Sequence, residues 1–231
     1  MRMFAAFKLP VEVFSLIVLL LVTRCQPTTD TERAQILEYH LRIREKVWPP
    51  ATNMQLMKYS MHLEHLADYW ASRCVFKHPD SRYFPHYHEV GQNLAIFGAR
   101  KPTFTEAVCG YAAEEKNFFY YNRTCRGKCG HYTQIIWAST NQLGCAMRRC
   151  DGIRSDWDNP QYLSVCQYLP EGNKYRQRPY EYGRSCSGCS EGQFCYRNQC
   201  SEEASCTEVY PLMGIKNPSD RLVPECEVYR S

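Results

Sequence analysis

The chain reads as a layered α/β domain followed by a small cystine-held extension. Three features predict this: helical apolar spacing in three separated stretches, short β-branched or aromatic runs among them, and a compositional change after Asn173. A length of 231 residues suffices for one substantial core and an appendage.

At the N-terminus, Arg2 and Lys8 flank the start of an apolar run from Val11 to Val22, and Thr23-Arg24-Cys25 offers a cleavage point before Gln26. The run is short for a membrane span, so residues 1–25 read as a cleaved signal peptide with no transmembrane anchor. The mature protein is expected to be secreted and extracellular.

Thr29 and Glu32 form a capping-box pattern, and Ile36, Tyr39, His40, Ile43 and Val47 recur behind it at helical spacing. Pro49-Pro50 ends that helix. A second helical pattern runs from Leu56 through Tyr59, Leu63 and Leu66 to Trp70. A turn-rich, aromatic loop follows from Cys74 to His88. A third pattern spans about Thr103 to Phe119, with Ala107, Val108, Tyr111 and Glu114.

Residues 129–150, CGHYTQIIWASTNQLGCAMRRC, are the densest stretch in distinctive side chains. A short helix over Tyr132–Trp137 would leave His131 at its start, among unpaired amide donors. Leu143–Met147 suits a strand leaving a turn at Gly144, where glycine allows unusual backbone angles. Tyr162–Tyr168 suits another strand.

Net charge is +4 with pI near 8.3, and the sequence has no basic run, so nucleic acid is not an expected partner. Fourteen cysteines in an oxidising compartment predict a disulfide framework. If Cys25 leaves with the signal, 14 − 1 = 13 remain, an odd number. Cys109, inside a helical pattern, is then the candidate for a free or intermolecular thiol; the alternative is a buried small hydrophobe. Beyond a polar stretch over residues 174–185, Cys186, Cys189, Cys195 and Cys200 crowd together with almost no aliphatic residues, so cross-links must hold that segment. Asn122-Arg123-Thr124 is an N-glycosylation sequon, and a glycan is expected on Asn122.

Gly130–Trp137 (GHYTQIIW) and Tyr162–Asn173 (YLSVCQYLPEGN) resemble the two signatures of the CAP superfamily: cysteine-rich secretory, antigen 5 and class-one pathogenesis-related proteins. The chain is most similar there to the helminth venom-allergen-like branch. The resemblance implies a three-layer αβα sandwich over residues 26–173, a linker over 174–185 and a cysteine-rich hinge-like extension over 186–231. It implies the disulfides Cys74–Cys150, Cys145–Cys166, Cys186–Cys195 and Cys189–Cys200. Cys125–Cys129 is then the local remainder in the main domain, and Cys206 and Cys226 are left to pair. An ion-channel-blocking terminal domain would need more cysteines than remain.

The same resemblance implies a cleft with two histidines and two glutamates that holds a divalent metal in some members. By position these fall on His78, Glu114 and His131, with Gln92 where a family glutamate stands. An amide supplies no negative charge and no general base. No cofactor is therefore required, and zinc would be held only weakly by the remaining donors. The one Gly-x-Ser-x-Gly string, Gly188–Gly192, falls in the cysteine-crowded segment rather than between a strand and a helix as a nucleophile elbow must, and no His-Glu-x-x-His helix is present, so catalysis is not expected.

Two apolar features complete the expectation. The loop before the first signature carries Phe118, Phe119, Tyr120 and Tyr121, where the family binds sterol. The resemblance also implies a groove for a fatty acyl chain between the first and third helices, which Ile36, Tyr39, His40 and Ile43 on one and Phe104, Val108 and Tyr111 on the other would wall. The expected role is capture of sterol or fatty acid for sequestration or transport. The alternative is an immunomodulatory protein that meets a host receptor or other extracellular protein without a lipid role.

Overall fold

The computed structural model describes residues 28–202. The expected signal peptide and the Cys206–Cys226 pair lie outside them. Helix α1 (Asp30–Glu45) opens on the expected capping box: the Thr29 amide donates to Glu32 Oε2 at 2.8 Å, and the Glu32 amide donates to Thr29 Oγ1 at 3.2 Å. The second helical pattern is shorter than its spacing suggested. Lys58–Tyr59 form an extended strand β1, and Ser60 caps α2 (Met61–Ser72) by accepting from the Leu63 amide.

Strand β2 (Gly91–Gly98) precedes α3 (Phe104–Ala112), which starts on a second capping box between Thr103 and Glu106. The third pattern also stops early. After Ala112 the chain tightens into a 3-10 turn (Ala113–Asn117), then enters a small hairpin of β3 (Phe118–Phe119) and β4 (Thr124–Cys125). Helix α4 (Gly130–Ile135), strands β5 (Gln142–Arg149) and β6 (Gln161–Leu169), and the terminal hairpin β7 (Phe194–Tyr196) and β8 (Gln199–Ser201) complete the order.

The main sheet runs β1-β5-β6-β2, with β1 parallel to β5 and the other pairs antiparallel. One face buries Leu94, Ala146, Leu163 and Val165 against Ala67, Trp70 and Ala71 of α2. The other buries Leu143, Cys145, Cys166 and Tyr168 against α1, α3 and α4. These are the three layers. Gly144 lies within β5 rather than in a turn. A Cβ there would stand 2.2 Å from the Glu64 nitrogen and 2.6 Å from the Ser60 carbonyl, so its small size admits the backbone of α2. The Arg33 guanidinium joins α1 to α2 through two bonds to Glu64, at 2.8 and 2.7 Å.

Disulfides tie Cys74 to Cys150, Cys145 to Cys166, Cys125 to Cys129, Cys186 to Cys195 and Cys189 to Cys200. Cys109 is also disulfide-bonded, which corrects its assignment as the free thiol. It is buried as well, so helical spacing placed it correctly in the core without revealing its bond.

Residues 174–185 pack along the domain. The Ala138 amide donates to the Pro179 carbonyl at 2.6 Å, Tyr180 is buried, and the Gly183 amide donates to Pro50 at 2.9 Å. The β7–β8 hairpin then docks on α1. Arg197 pairs with Glu38 at 2.8 Å and with Glu45, while backbone bonds join Cys200 to Met54 and Leu56.

At the centre of these contacts is Arg44, which is fully buried. Its guanidinium donates to the carbonyls of Ile135 and Trp137 at 2.8 Å, Thr140 at 3.0 Å and Ala138 at 3.3 Å, and also to Gln55 and to Gln199 Oε1. Burial pushes its pKa down to about 9, so it remains a cation at neutral pH. Arg44→Met should therefore lower unfolding free energy by about 3–5 kcal/mol, because it strands several buried carbonyls, and denaturant titration would read this as a fall in midpoint.

His40 is equally buried. Its Nδ1 lies 2.8 Å from the Ile36 carbonyl, an obligate acceptor, so Nδ1 carries the hydrogen and Nε2 accepts from the Tyr168 hydroxyl at 3.0 Å. Burial, with the nearby Arg44 cation adding to it, pushes His40 from 6.5 down to about 4. A depressed base favours the folded state only while neutral. Stability is thus intact above about pH 6.5 and falls by about 3 kcal/mol as pH drops toward 4. In pH-resolved denaturation, His40→Gln should be less stable at neutral pH yet show a flatter decline across that window.

Candidate functional site: a polar cleft beside an aromatic hairpin

His131 is the second residue of α4, and the 3-10 turn after α3 brings Glu114 opposite it. The carboxylate accepts twice: from the His131 amide at 2.9 Å and from Nδ1 at 2.9 Å. One acidic side chain therefore satisfies an amide at the start of the helix and fixes the ring. The ring packs 4.9 Å from that of Tyr111. Asn93 holds the backbone from below, donating to the His131 carbonyl at 3.1 Å and to the Tyr168 hydroxyl at 3.2 Å. A continuous polar chain thus runs from buried His40 through Tyr168 and Asn93 to the half-exposed His131.

His78 forms a separate pair, its Nδ1 lying 2.8 Å from Gln92 Oε1. Gln92 sits on the outer strand β2, directly opposite Gln167 of β6. Gln92 Nε2 and both amide atoms of Gln167 are buried without hydrogen-bond partners. The four positions named from sequence therefore resolve into two pairs, His131–Glu114 and His78–Gln92. Among the described residues no three His, Cys, Asp or Glu side chains are grouped to hold a metal ion. Each histidine directs Nδ1 to a neighbour, which orients the ring and leaves Nε2 as its second nitrogen.

The four loop aromatics divide by alternation along the hairpin. Phe118 is half-buried against Tyr132 at 6.2 Å. Tyr120 is buried, stacks on Tyr180 at 4.7 Å and donates its hydroxyl to the Tyr180 carbonyl at 2.7 Å. Phe119 and Tyr121 face outward, 39% and 63% exposed. Tyr182 joins them, its ring 6.0 Å from Tyr121. Arg178 braces the hairpin by donating to the Tyr120 carbonyl at 2.6 Å. Sequence reasoning missed Tyr180, Tyr182 and Arg178 because they lie in the presumed linker; its concentration of tyrosines was the available signal. Asn122 is exposed beside the outward aromatics.

The expected acyl groove is closed. Ile36, His40 and Val108 have no accessible surface, Tyr39 and Tyr111 only 2%, and Phe104 4%, while Ile43 packs against the same core. A water-sized sphere barely touches these walls, so a chain could enter only if α1 and α3 separated. The residues that the resemblance placed along a groove form a packed seam between the two helices. A separate cavity of about 340 Å³ lies where β1 meets the C-terminal module, lined by Lys58, Tyr59, Asn141, Gln142 and Gln193 among others. None of the cleft histidines or hairpin aromatics lines it.

Comparison with known proteins places this geometry. The chain is 35% identical over 192 residues to human cysteine-rich secretory protein LCCL domain-containing 1, covering 77% of this chain but only 38% of that relative. It is 36% identical over 187 residues to peptidase inhibitor 15 of Xenopus laevis, covering 74% of this chain and 71% of the relative. Among solved structures, NaASP2 with Zn2+ superposes with a TM-score of 0.60 at 27% identity, covering 76% of this chain and 98% of that one. Venom allergen-like protein 4 of Schistosoma mansoni gives 0.55 at 28% identity, covering 70% and 99%. The family description "CAP: Cysteine-rich secretory protein family" matches residues 37–168, more than half of the sequence, and the chain belongs to that family.

Proposed function

We propose that this CAP protein acts outside the cell as a non-enzymatic binder of a hydrophobic small molecule, with a sterol-like ligand taken at the outward face of the aromatic hairpin. The observation that carries the reading is the split within the hairpin: Phe118 and Tyr120 anchor it, leaving Phe119 and Tyr121 exposed beside Tyr182. The disulfides favour an oxidising compartment, and no described helix is long and apolar enough to cross a membrane. A binding role also suits the cleft, where each histidine ring is engaged by an acid or amide and neither activates a hydroxyl or thiol.

Magnitudes shape the reading. Covering about 200 Å² of apolar ring surface contributes about 5 kcal/mol before the costs of association, which falls short of micromolar affinity. Sequestration therefore needs the stem of the hairpin and Tyr182 to wrap the ligand. A fatty acid would need the α1–α3 seam to open, so a flat ligand fits better than an extended tail.

A second reading, protein binding, draws on the relatives named peptidase inhibitor 15, matched over 71% of their length. Inhibition in a panel of secreted peptidases, unaffected by lipid, would favour it over the first. For the first, titration of delipidated protein with a fluorescent sterol should show Phe119→Ala/Tyr121→Ala binding about tenfold more weakly, with unchanged near-ultraviolet circular dichroism. Equal affinity in that variant would reject the hairpin, and no binding of any lipid by the parent would reject the reading.

A further inference from the structure

The fold assembles a basic surface that the linear sequence conceals. Residues 116–128 contain Lys116, Arg123, Arg126 and Lys128 with no acid, and residues 173–180 contain Lys174, Arg176 and Arg178, again with no acid. These segments lie against each other. Arg123 donates to the Arg176 carbonyl at 3.2 Å across 53 residues of sequence, Arg178 donates to Tyr120 and Tyr121, and Asn173 donates to Gly130 at 2.9 Å.

None of these cations has a carboxylate partner among the described residues. By contrast, Arg33, Arg82, Arg100, Arg148, Arg149 and Arg154 each face an acid. Glu115 and Glu181 are the neighbouring acids, each close enough to act on the Tyr120–Tyr180 stack, and neither forms an ion pair with these cations. All the cations but the partly buried Arg178 are exposed. Three guanidinium groups lie over rings: Arg126 at 4.9 Å from the Phe119 centroid, Arg176 at 5.0 Å from Tyr175 and Arg178 at 5.0 Å from Tyr120. Stacking limits the rotation of the exposed Arg126 and Arg176, whose planar guanidinium groups match oxyanions, while Arg178 is committed to the hairpin carbonyls. Cys125–Cys129 and the bond from Asn117 Nδ2 to the Lys128 carbonyl at 2.7 Å fix the loop that carries the first group.

We propose that this ridge binds a sulfated polysaccharide. Concentrated, unneutralised charge of one sign attracts a polyanion rather than a single ion, and arginine recognises sulfate-like oxyanions through paired hydrogen bonds. The disulfide framework belongs to an oxidising compartment, where extended polyanions of the matrix carry sulfate. This does not rest on the lipid reading: that reading turns on Phe119 and Tyr121, this one on the cations.

The test is calorimetric titration of the full secreted chain with a heparin-derived octasaccharide at physiological salt. The parent should bind, and raising salt should weaken binding steeply. Arg126→Gln/Lys128→Gln/Lys174→Gln/Arg176→Gln should bind at least about tenfold more weakly with unchanged melting temperature. Asn122→Gln, which removes any glycan, should bind as well as the parent or better. A desulfated octasaccharide should not bind. No binding by the parent, equal affinity in the quadruple variant, or tighter binding of single-stranded DNA or phosphatidylserine vesicles than of the sulfated fragment would overturn the proposal.

Discussion

Arg44 supplies the constraint around which the rest of the molecule is arranged: a buried cation with no carboxylate beside it. Its charge is met by carbonyl dipoles from the turn after α4, from the segment before β1, and by the Gln199 side chain of the terminal module. Carbonyls can stabilise a cation in low dielectric only when several converge, which requires each contributing backbone to hold its position. The C-terminal hairpin is thereby drawn into the core of the interaction. Arg197 and the backbone bonds at Cys200 reinforce the same seam from outside.

Polar groups elsewhere inside the protein follow a related logic. Asn93 donates to both the His131 carbonyl and the Tyr168 hydroxyl, and Tyr168 donates on to His40, so the chain from the core to His131 is satisfied without any net charge. Glu114 brings the single acid, and it is spent on orienting the imidazole and closing the helix start. At Gln92 and Gln167 the pattern breaks: amide atoms are buried on the α2 side of the sheet with no partner. The cleft is thus well fixed on the His131 side and less fully satisfied on the His78 side.

Much of this was legible in the residues. Both capping boxes, the helix stop before Pro49-Pro50 and the strand over Tyr162–Tyr168 act locally, through side chains a few positions apart, so a linear pattern contains them. The misreadings share a different cause. Leu56 and Tyr59 match helical spacing, yet the partner that makes this stretch extended is β5, far along the chain. Gly144 looked like a turn residue because the approach of α2 is invisible in one dimension. Tyr180 looked like linker because its stacking partner is Tyr120, and the basic surface was hidden because its halves are distant in sequence. The residues named for an acyl groove pack against one another with their surface closed, a difference between seam and groove that helical spacing does not encode.

The stack of Tyr120 on Tyr180 has a consequence for engineering. The outward aromatics owe their orientation to an anchor whose other half lies beyond the second signature, in residues that read as a linker. Transplanting the hairpin alone onto a related scaffold would therefore deliver the right side chains without the support that aims them. The unit that evolution must move intact is the loop together with its distant strap.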